Sequence, residues 1–292
     1  MIDLYRKRGE VYRLIGNYEQ AYGDFCRMRI ASRRANNKNK HAEAVIQLGN
    51  VFLHKSEFEL AESYFTQALN MCQKTANLNG KAECYQQLGK TKQYRENPPE
   101  ALKYYNDSLK IYTDLRDEAG KSSVLEHIAD NYRLSGENEK AIKILDQLLV
   151  YYQELEDKIK VGRILQSLGQ VYRERGSYLE GAEYLTKAYD ITKKTGNRIA
   201  MVYLLCDLGL ICYDNCQYTE AKDLFEQCYI LSEKQRILYM SAVSLLNLGD
   251  ACIKLGEKNI AKINLQKVLN MGTNIEGIKN EANRLLEQIN SN

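Results

Sequence analysis

Tryptophan is absent from this 292-residue chain, and its only prolines are the adjacent pair Pro98 and Pro99. So little proline leaves almost nothing to break helices, and helix can run through most of the length. Histidine is scarce: His41, His54 and His127 are the only three. They stand far apart, with no HExxH motif and no base–nucleophile spacing, which argues against a zinc hydrolase or a histidine-centred active site. No apolar run is long enough for a membrane span, and no signal peptide is visible. The net charge of +3 is too small to point to nucleic acid or an anionic membrane surface. These absences predict no enzymatic activity, no cofactor and no metal.

Eight cysteines are present, none in a CxxC pair. Unpatterned cysteines in a chain of this size read as reduced, buried small hydrophobes of an intracellular, cytoplasmic protein.

What the chain does have is a repeat. Gly9, Gly49, Gly89, Gly169, Gly209 and Gly249 keep one 40-residue register, with Ala129 at the remaining position. One residue earlier stand Leu48, Leu88, Ile128, Leu168, Leu208 and Leu248. Ala21, Ala61, Ala101, Ala141, Ala221 and Ala261 form a second small-residue column, interrupted once by Gly181. Four residues further on come Phe25, Phe65, Tyr105, Leu145, Leu185, Phe225 and Leu265. Within each half-repeat the apolar residues recur at spacings of three and four, so each half is an amphipathic helix. The small columns let the two helices approach closely, and the large ones fill the space between pairs. Gly16, Gly136, Gly176 and Gly256 mark the turn between halves, in the left-handed conformation that ends helices. Asn17, Glu137, Ser177 and Glu257 follow them, several as caps of the next helix. In the third repeat Asn97-Pro98-Pro99 serves as the turn, with proline in a first helical turn. Each unit is a helix A and a helix B of roughly 15 residues, stable only when stacked.

These columns resemble the tetratricopeptide repeat. Val45, Leu48-Gly49, Phe52, Ala61, Phe65 and Ala68 carry that family's pattern in the second repeat, and Leu165, Leu168-Gly169, Tyr172, Gly181, Leu185 and Ala188 in the fifth. The family's usual late proline is missing, and the period is 40 rather than 34, as in the longer repeats of kinesin light chains, the Leu-Gly-Asn spindle adaptor, Rap-type regulators and the maltose-regulon activator's sensor. The resemblance implies an all-α fold: a right-handed superhelical α-solenoid of seven helix-turn-helix repeats. The predicted single solenoid spans 1–292, with repeats at about 1–40, 41–80, 81–120, 121–160, 161–200, 201–240 and 241–273, and a capping helix at about 275–290. Met1 falls two or three residues inside the expected first helix, so a preceding segment or further domains of a longer chain are expected to pack there.

The resemblance further implies that helix A lines a concave, partner-binding groove. Its inward columns vary from repeat to repeat, unlike the packing columns. They place Asn50, Gln86, Lys90, Gln93, Arg133, Arg163, Gln166, Gln170 and Arg173 in a polar zone, where amides can pair with a peptide backbone and arginines with carboxylates. Tyr203, Cys206, Leu210, Tyr213, Leu246 and Ile253 form a later, more apolar zone suited to hydrophobic anchors, with Asn247 as a further partner-binding candidate. The plainer alternatives are a solvated face for the first zone and a buried strip for the second. The first forty residues carry a net charge of +6, including Arg6, Lys7, Arg8, Arg33 and Arg34, which could dock an acidic partner or face solvent. Cys212, Cys216 and Cys228 could in principle hold a metal, but they occupy columns filled elsewhere by Tyr, Gly and Ala and read as packing residues. The expected partner is a protein or peptide. The function is that of an interaction scaffold or, as the alternative, a peptide- or effector-sensing module of a larger regulator.

Overall fold

A computed structural model of the chain describes residues 1–272 and 275–291. Among them are fifteen helices and no strand. Residue 273, the expected end of the seventh repeat, lies outside the described residues. The helices alternate as helix A and helix B of successive repeats, from α1 (Ile2–Leu14) and α2 (Tyr18–Arg34) to α13 (Leu238–Lys254) and α14 (Lys258–Leu269). Most span 17 residues, two more than the sequence pattern suggested, because the capping residues sit at the very edge of each connection. The chain divides into two compact units, 1–144 and 145–292, with the division inside α8 (Asn138–Glu154).

Every connection between α1 and α14 that the periodicity marks contains a left-handed residue. Gly16, Gly136, Gly176 and Gly256 adopt φ between 74° and 85°, as their turns require. Gly196 does the same at φ 69°, and the remaining connections impose the conformation on Asn36, Ser56, Ala76, Glu96, Arg116, Glu156, Cys216 and Arg236, with φ between 50° and 61°. Helix starts are capped by a column the periodicity does not emphasise. Asn37, Asn77, Asp117, Asp157 and Asn197 each accept a hydrogen bond from the backbone N–H three residues on. Asn17 caps α2 in the same way, whereas Ser177 and Glu257 make no side-chain cap. Asn97 caps α6 (Pro98–Asp114), whose first turn accommodates both prolines.

The glycine column is explained by close approach. A Cβ at Gly49 would lie 2.5 Å from the Phe65 ring, at Gly209 2.6 Å from Phe225, and at Gly169 2.5 Å from Leu185. In the six repeats that carry this glycine, the large residue of helix B thus presses onto the bare backbone of its own helix A. In the first unit Ala21, Phe25 and Met28 of α2 pack with Ala44, Leu48 and Val51 of α3 (Lys38–His54). The next interface joins α4 (Phe58–Lys74) to α5 (Leu78–Tyr94) through Phe65, Ala68, Cys72, Cys84 and Leu88. In the second unit one core runs through α11 (Arg198–Asp214), α12 (Tyr218–Gln235), α13, α14 and α15 (Glu276–Ser291). Ala282, Leu285 and Ile289 of α15 are buried in it, so the last helix covers the seventh repeat.

All eight cysteines are free thiols. Cys228 is buried and Cys212 half-buried, but Cys216 is exposed and sits beyond α11 in a left-handed turn. It fills the glycine position of the turn, which corrects its reading as a packing residue. Gly162 of α9 (Lys158–Glu174) is unlike the column glycines, because a Cβ there would approach nothing nearer than Thr192 Oγ1 at 3.5 Å, Ile191 at 3.7 Å and the Ala188 carbonyl at 4.0 Å. Gly49→Ala and Gly209→Ala are therefore expected to cost about 1–3 kcal/mol each through overpacking. Gly162→Ala is expected to stabilise by about 0.5–1 kcal/mol through helix propensity. Urea unfolding followed by helical circular dichroism checks both; equal effects at all three glycines would contradict the packing assignment.

Candidate functional site

The predicted inward columns lie on one side of the helices A, and their polar members bond laterally from one helix A to the next. In the first unit Gln86 of α5 donates to Ser123 of α7 (Glu118–Leu134) at 2.9 Å. Gln93 donates to Asp130 at 2.6 Å, and its carbonyl accepts from Tyr105 Oη at 2.8 Å. Arg133 closes that chain, with Nη2 at 2.6 Å from Asp130. Asn50 donates to Gln47 within α3 at 3.3 Å. Lys90 is half-buried on α5, and its charge acts on both Glu83 and His54.

The second unit repeats the theme. Gln166 and Gln170 of α9 both donate to Asp207 Oδ2 on α11, at 2.6 and 3.0 Å. Arg173 pairs with Asp214 at 3.2 Å. Tyr213 Oη donates to Asp250 at 2.8 Å, and burial together with that bond pushes its hydroxyl pKa upward. Asn247 Nδ2 points at Cys206 Sγ, 3.9 Å away. Leu210, Tyr213 and Leu246 are half-buried against the core of this unit, while Tyr203 remains 41% exposed and Arg163 is exposed. The amides expected to meet a peptide backbone are thus partly engaged already. Each retains unused hydrogen-bonding capacity, since an amide offers two donors and a carbonyl.

Two cavities open on this side at equivalent places in the repeat. The first unit holds one of about 420 Å³, lined by Asn39, Glu43, Ile46, Asn79, Glu83 and Asp117 among others. The second unit holds one of about 310 Å³, lined by Ile159, Gly162, Arg163, Gln166, Ile199 and Tyr203 among others. Asn39 and Ile159, Glu43 and Arg163, Asn79 and Ile199, and Glu83 and Tyr203 are matching positions three repeats apart. The scaffold therefore offers the same hollow with opposite chemistry, acidic and amide-rich in one unit, cationic and apolar in the other. Neither cavity was apparent from single residues. The signal that marks them is the cap column, which fixes where each helix A begins.

Around the first cavity the charges are largely matched. Lys40 reaches Glu43 at 2.9 Å and Asp3 at 3.0 Å, and Arg6 reaches Glu43 at 3.5 Å. Asp24, buried in α2, is gripped by Arg8 and Arg27, which keep its carboxyl below the usual range. Arg6, Arg8 and Arg27 thus spend part of the basic first repeat on internal pairs. The three histidines do not converge: His54 meets Arg13 at 2.7 Å and stacks on Tyr18, and His127 stacks on Tyr105. Among the described residues no group of three or more His, Cys, Asp or Glu could hold a metal ion, and no helix is long and apolar enough to cross a membrane.

Glu83 stands out, because no hydrogen bond or ion pair reaches its carboxylate among the described residues. Desolvation pushes its carboxyl from 4.5 up to about 7, with Glu43 adding to the shift and Arg6 opposing it. A carboxyl whose folded pKa is raised binds its proton more tightly in the folded state, so stability falls as pH rises from about 4.5 to about 7. Glu83→Gln is expected to remove this component and to raise the thermal midpoint relative to the parent above neutrality. Parallel melting curves for parent and variant across that range would contradict it.

A family model described as tetratricopeptide repeat matches residues 40–114 and 121–194, and a second of the same description matches 242–271. Together they span more than half of the chain. No curated protein sequence matches. Solved structures show the same fold at low identity. The apo form of RapI superposes with a TM-score of 0.70 at 14% identity, covering 98% of this chain and 99% of that one. A Rap protein complexed with Competence and Sporulation Factor gives 0.69 at 16%, covering 99% and 85%. A signal transduction ATPase of the STAND class from Pyrococcus horikoshii, which carries a tetratricopeptide repeat sensor, gives 0.68 at 18%, covering 97% of this chain and 43% of that protein. The glycine and alanine columns, the paired helices and the matched repeats place this chain in the tetratricopeptide repeat family.

Proposed function

We propose that this chain binds an extended peptide or partner helix across the side formed by the helices A. The observation that carries this reading is the pair of cavities at matching repeat positions. They are lined by columns that change chemistry from repeat to repeat, while the glycine and large-residue columns beneath them do not. Lateral hydrogen bonds hold these side chains in place before a partner arrives, which lowers the ordering cost of binding. Asn50, Gln86, Lys90, Gln93 and Arg133 belong to this side in the first unit; Arg163, Gln166, Gln170, Arg173, Tyr203, Leu210, Tyr213, Leu246 and Asn247 belong to it in the second. Free thiols throughout accord with a reducing, cytoplasmic setting.

A second reading, an effector-sensing module of a larger regulator, draws on the likeness to a Rap protein solved with a bound factor and to the sensor of a STAND ATPase. Under it, binding would alter the stacking of repeats, and scattering profiles would shift when ligand is added.

Selection of a random displayed peptide library on the full chain tests the first reading. Selected peptides are expected to lose about tenfold or more in affinity against Lys90→Glu or Arg163→Glu, the range typical of anchor contacts. Lys187→Glu, an exposed helix B change, is expected to leave them unaffected. Failure to select any peptide, or sensitivity to the helix B change alone, would overturn the proposal.

A further inference from the structure

The cavity of the second unit differs from its counterpart in the first in three independent ways. Its floor lacks a side chain that the fold would tolerate. At the column of Gly162 the neighbouring repeats carry Ala42, Ala82, Ser122, Val202 and Ala242. A Cβ at Gly162 would make only ordinary contacts, so packing does not require glycine there. The missing side chain leaves depth instead. The rim is apolar: Ile159, Ile199 and Tyr203 are 66%, 55% and 41% exposed although each lines the cavity. In the first unit the matching positions are Asn39, Asn79 and Glu83. The charge is also one-sided, since Lys158 and Arg163 line the cavity and no acidic residue does.

From these three features we infer that the hollow between α9 and α11, floored by Gly162, is the anchor pocket for one large apolar side chain carried on an acidic segment of the partner peptide. The inference rests on the proposed peptide-binding reading and narrows it to one site and one ligand chemistry. The apolar walls take the side chain out of water, which favours binding in proportion to the apolar area buried. Lys158 and Arg163 at the edge favour carboxylates flanking that side chain and disfavour basic segments, so they act on specificity and association rate more than on depth of binding. Thr192 and Gln166 complete the wall. The Gln166 side chain is held by its bond to Asp207, so the pocket keeps its shape without a ligand. The role assigned to Gly162 is positional: it makes no contact of its own and sets the depth available to the ligand.

The test uses the full chain and a displayed library of random nonapeptides. Peptides selected on the parent are expected to share a large apolar residue with Asp or Glu within two positions. Their affinity is expected to fall about tenfold or more against Gly162→Val, which fills the floor with the residue the next repeat carries, and against Tyr203→Ala, an exposed change that leaves the core intact. Arg163→Glu and added salt are expected to weaken them as well. Circular dichroism melts confirm that the variants fold, and if Gly162→Val does not, Tyr203→Ala decides. Selected peptides that lack the shared pattern, or that bind Gly162→Val and Tyr203→Ala as tightly as the parent, overturn the anchor pocket while leaving peptide binding in place. A library that yields no binders at all overturns both.

Discussion

The contact between a glycine in helix A and a large side chain in helix B of the same repeat is the constraint on which the rest of this structure depends. Phe25, Phe65, Tyr105, Leu185, Phe225 and Leu265 each press within 3 Å of where a Cβ would stand on Gly9, Gly49, Gly89, Gly169, Gly209 and Gly249. No L-amino acid with a side chain fits there without displacement. The contact sets the distance between the two helices of a pair, and the alanine column keeps the neighbouring helix equally close. Dense packing of this kind transmits any misfit to its surroundings. A repeat built this way has a rigid interior, so variation is confined to the sides that do not pack.

That confinement connects fold to function. The helix A positions facing away from helix B are free to change, and they do, from Glu43 and Glu83 to Arg163 and Tyr203 at matching places. They are not loose, however. Gln86 to Ser123, Gln93 to Asp130, Gln166 to Asp207 and Tyr213 to Asp250 are all bonds from one repeat to the next. A stack of repeats has only nearest-neighbour interfaces. These lateral bonds therefore add to the same interfaces that the apolar columns hold together, and they fix the chemistry of the exposed side. A solvated, disordered face would show no such pattern of partners 37 to 41 residues apart.

The sequence shows the repeat so clearly because glycine, alanine and aromatic positions are dictated by sterics and recur without a slip. The turns were equally legible where glycine fills the left-handed position. They were less so at Cys216, Glu96 or Arg236, where a residue with a side chain takes the same left-handed conformation. The binding side was legible as a set of positions but not as a set of partners. Nothing in a single sequence says that Gln166 and Gln170 converge on one oxygen of Asp207, because that depends on the lateral offset between helices. The division at 144/145 inside a continuous helix also has no mark in the residues, since the 40-residue register runs through it unchanged.

The claim that packing columns hold the fold while helix A side columns hold the partner is tested most directly by saturation mutagenesis of α11 in the full chain. Folded abundance and retention of a selected peptide are read separately for each variant. The account predicts that substitutions at Val202, Leu205 and Gly209 lower abundance and binding together, whereas substitutions at Tyr203 lower peptide retention at nearly constant abundance. If the two readouts rise and fall together at every position of the helix, the separation of packing from recognition is contradicted.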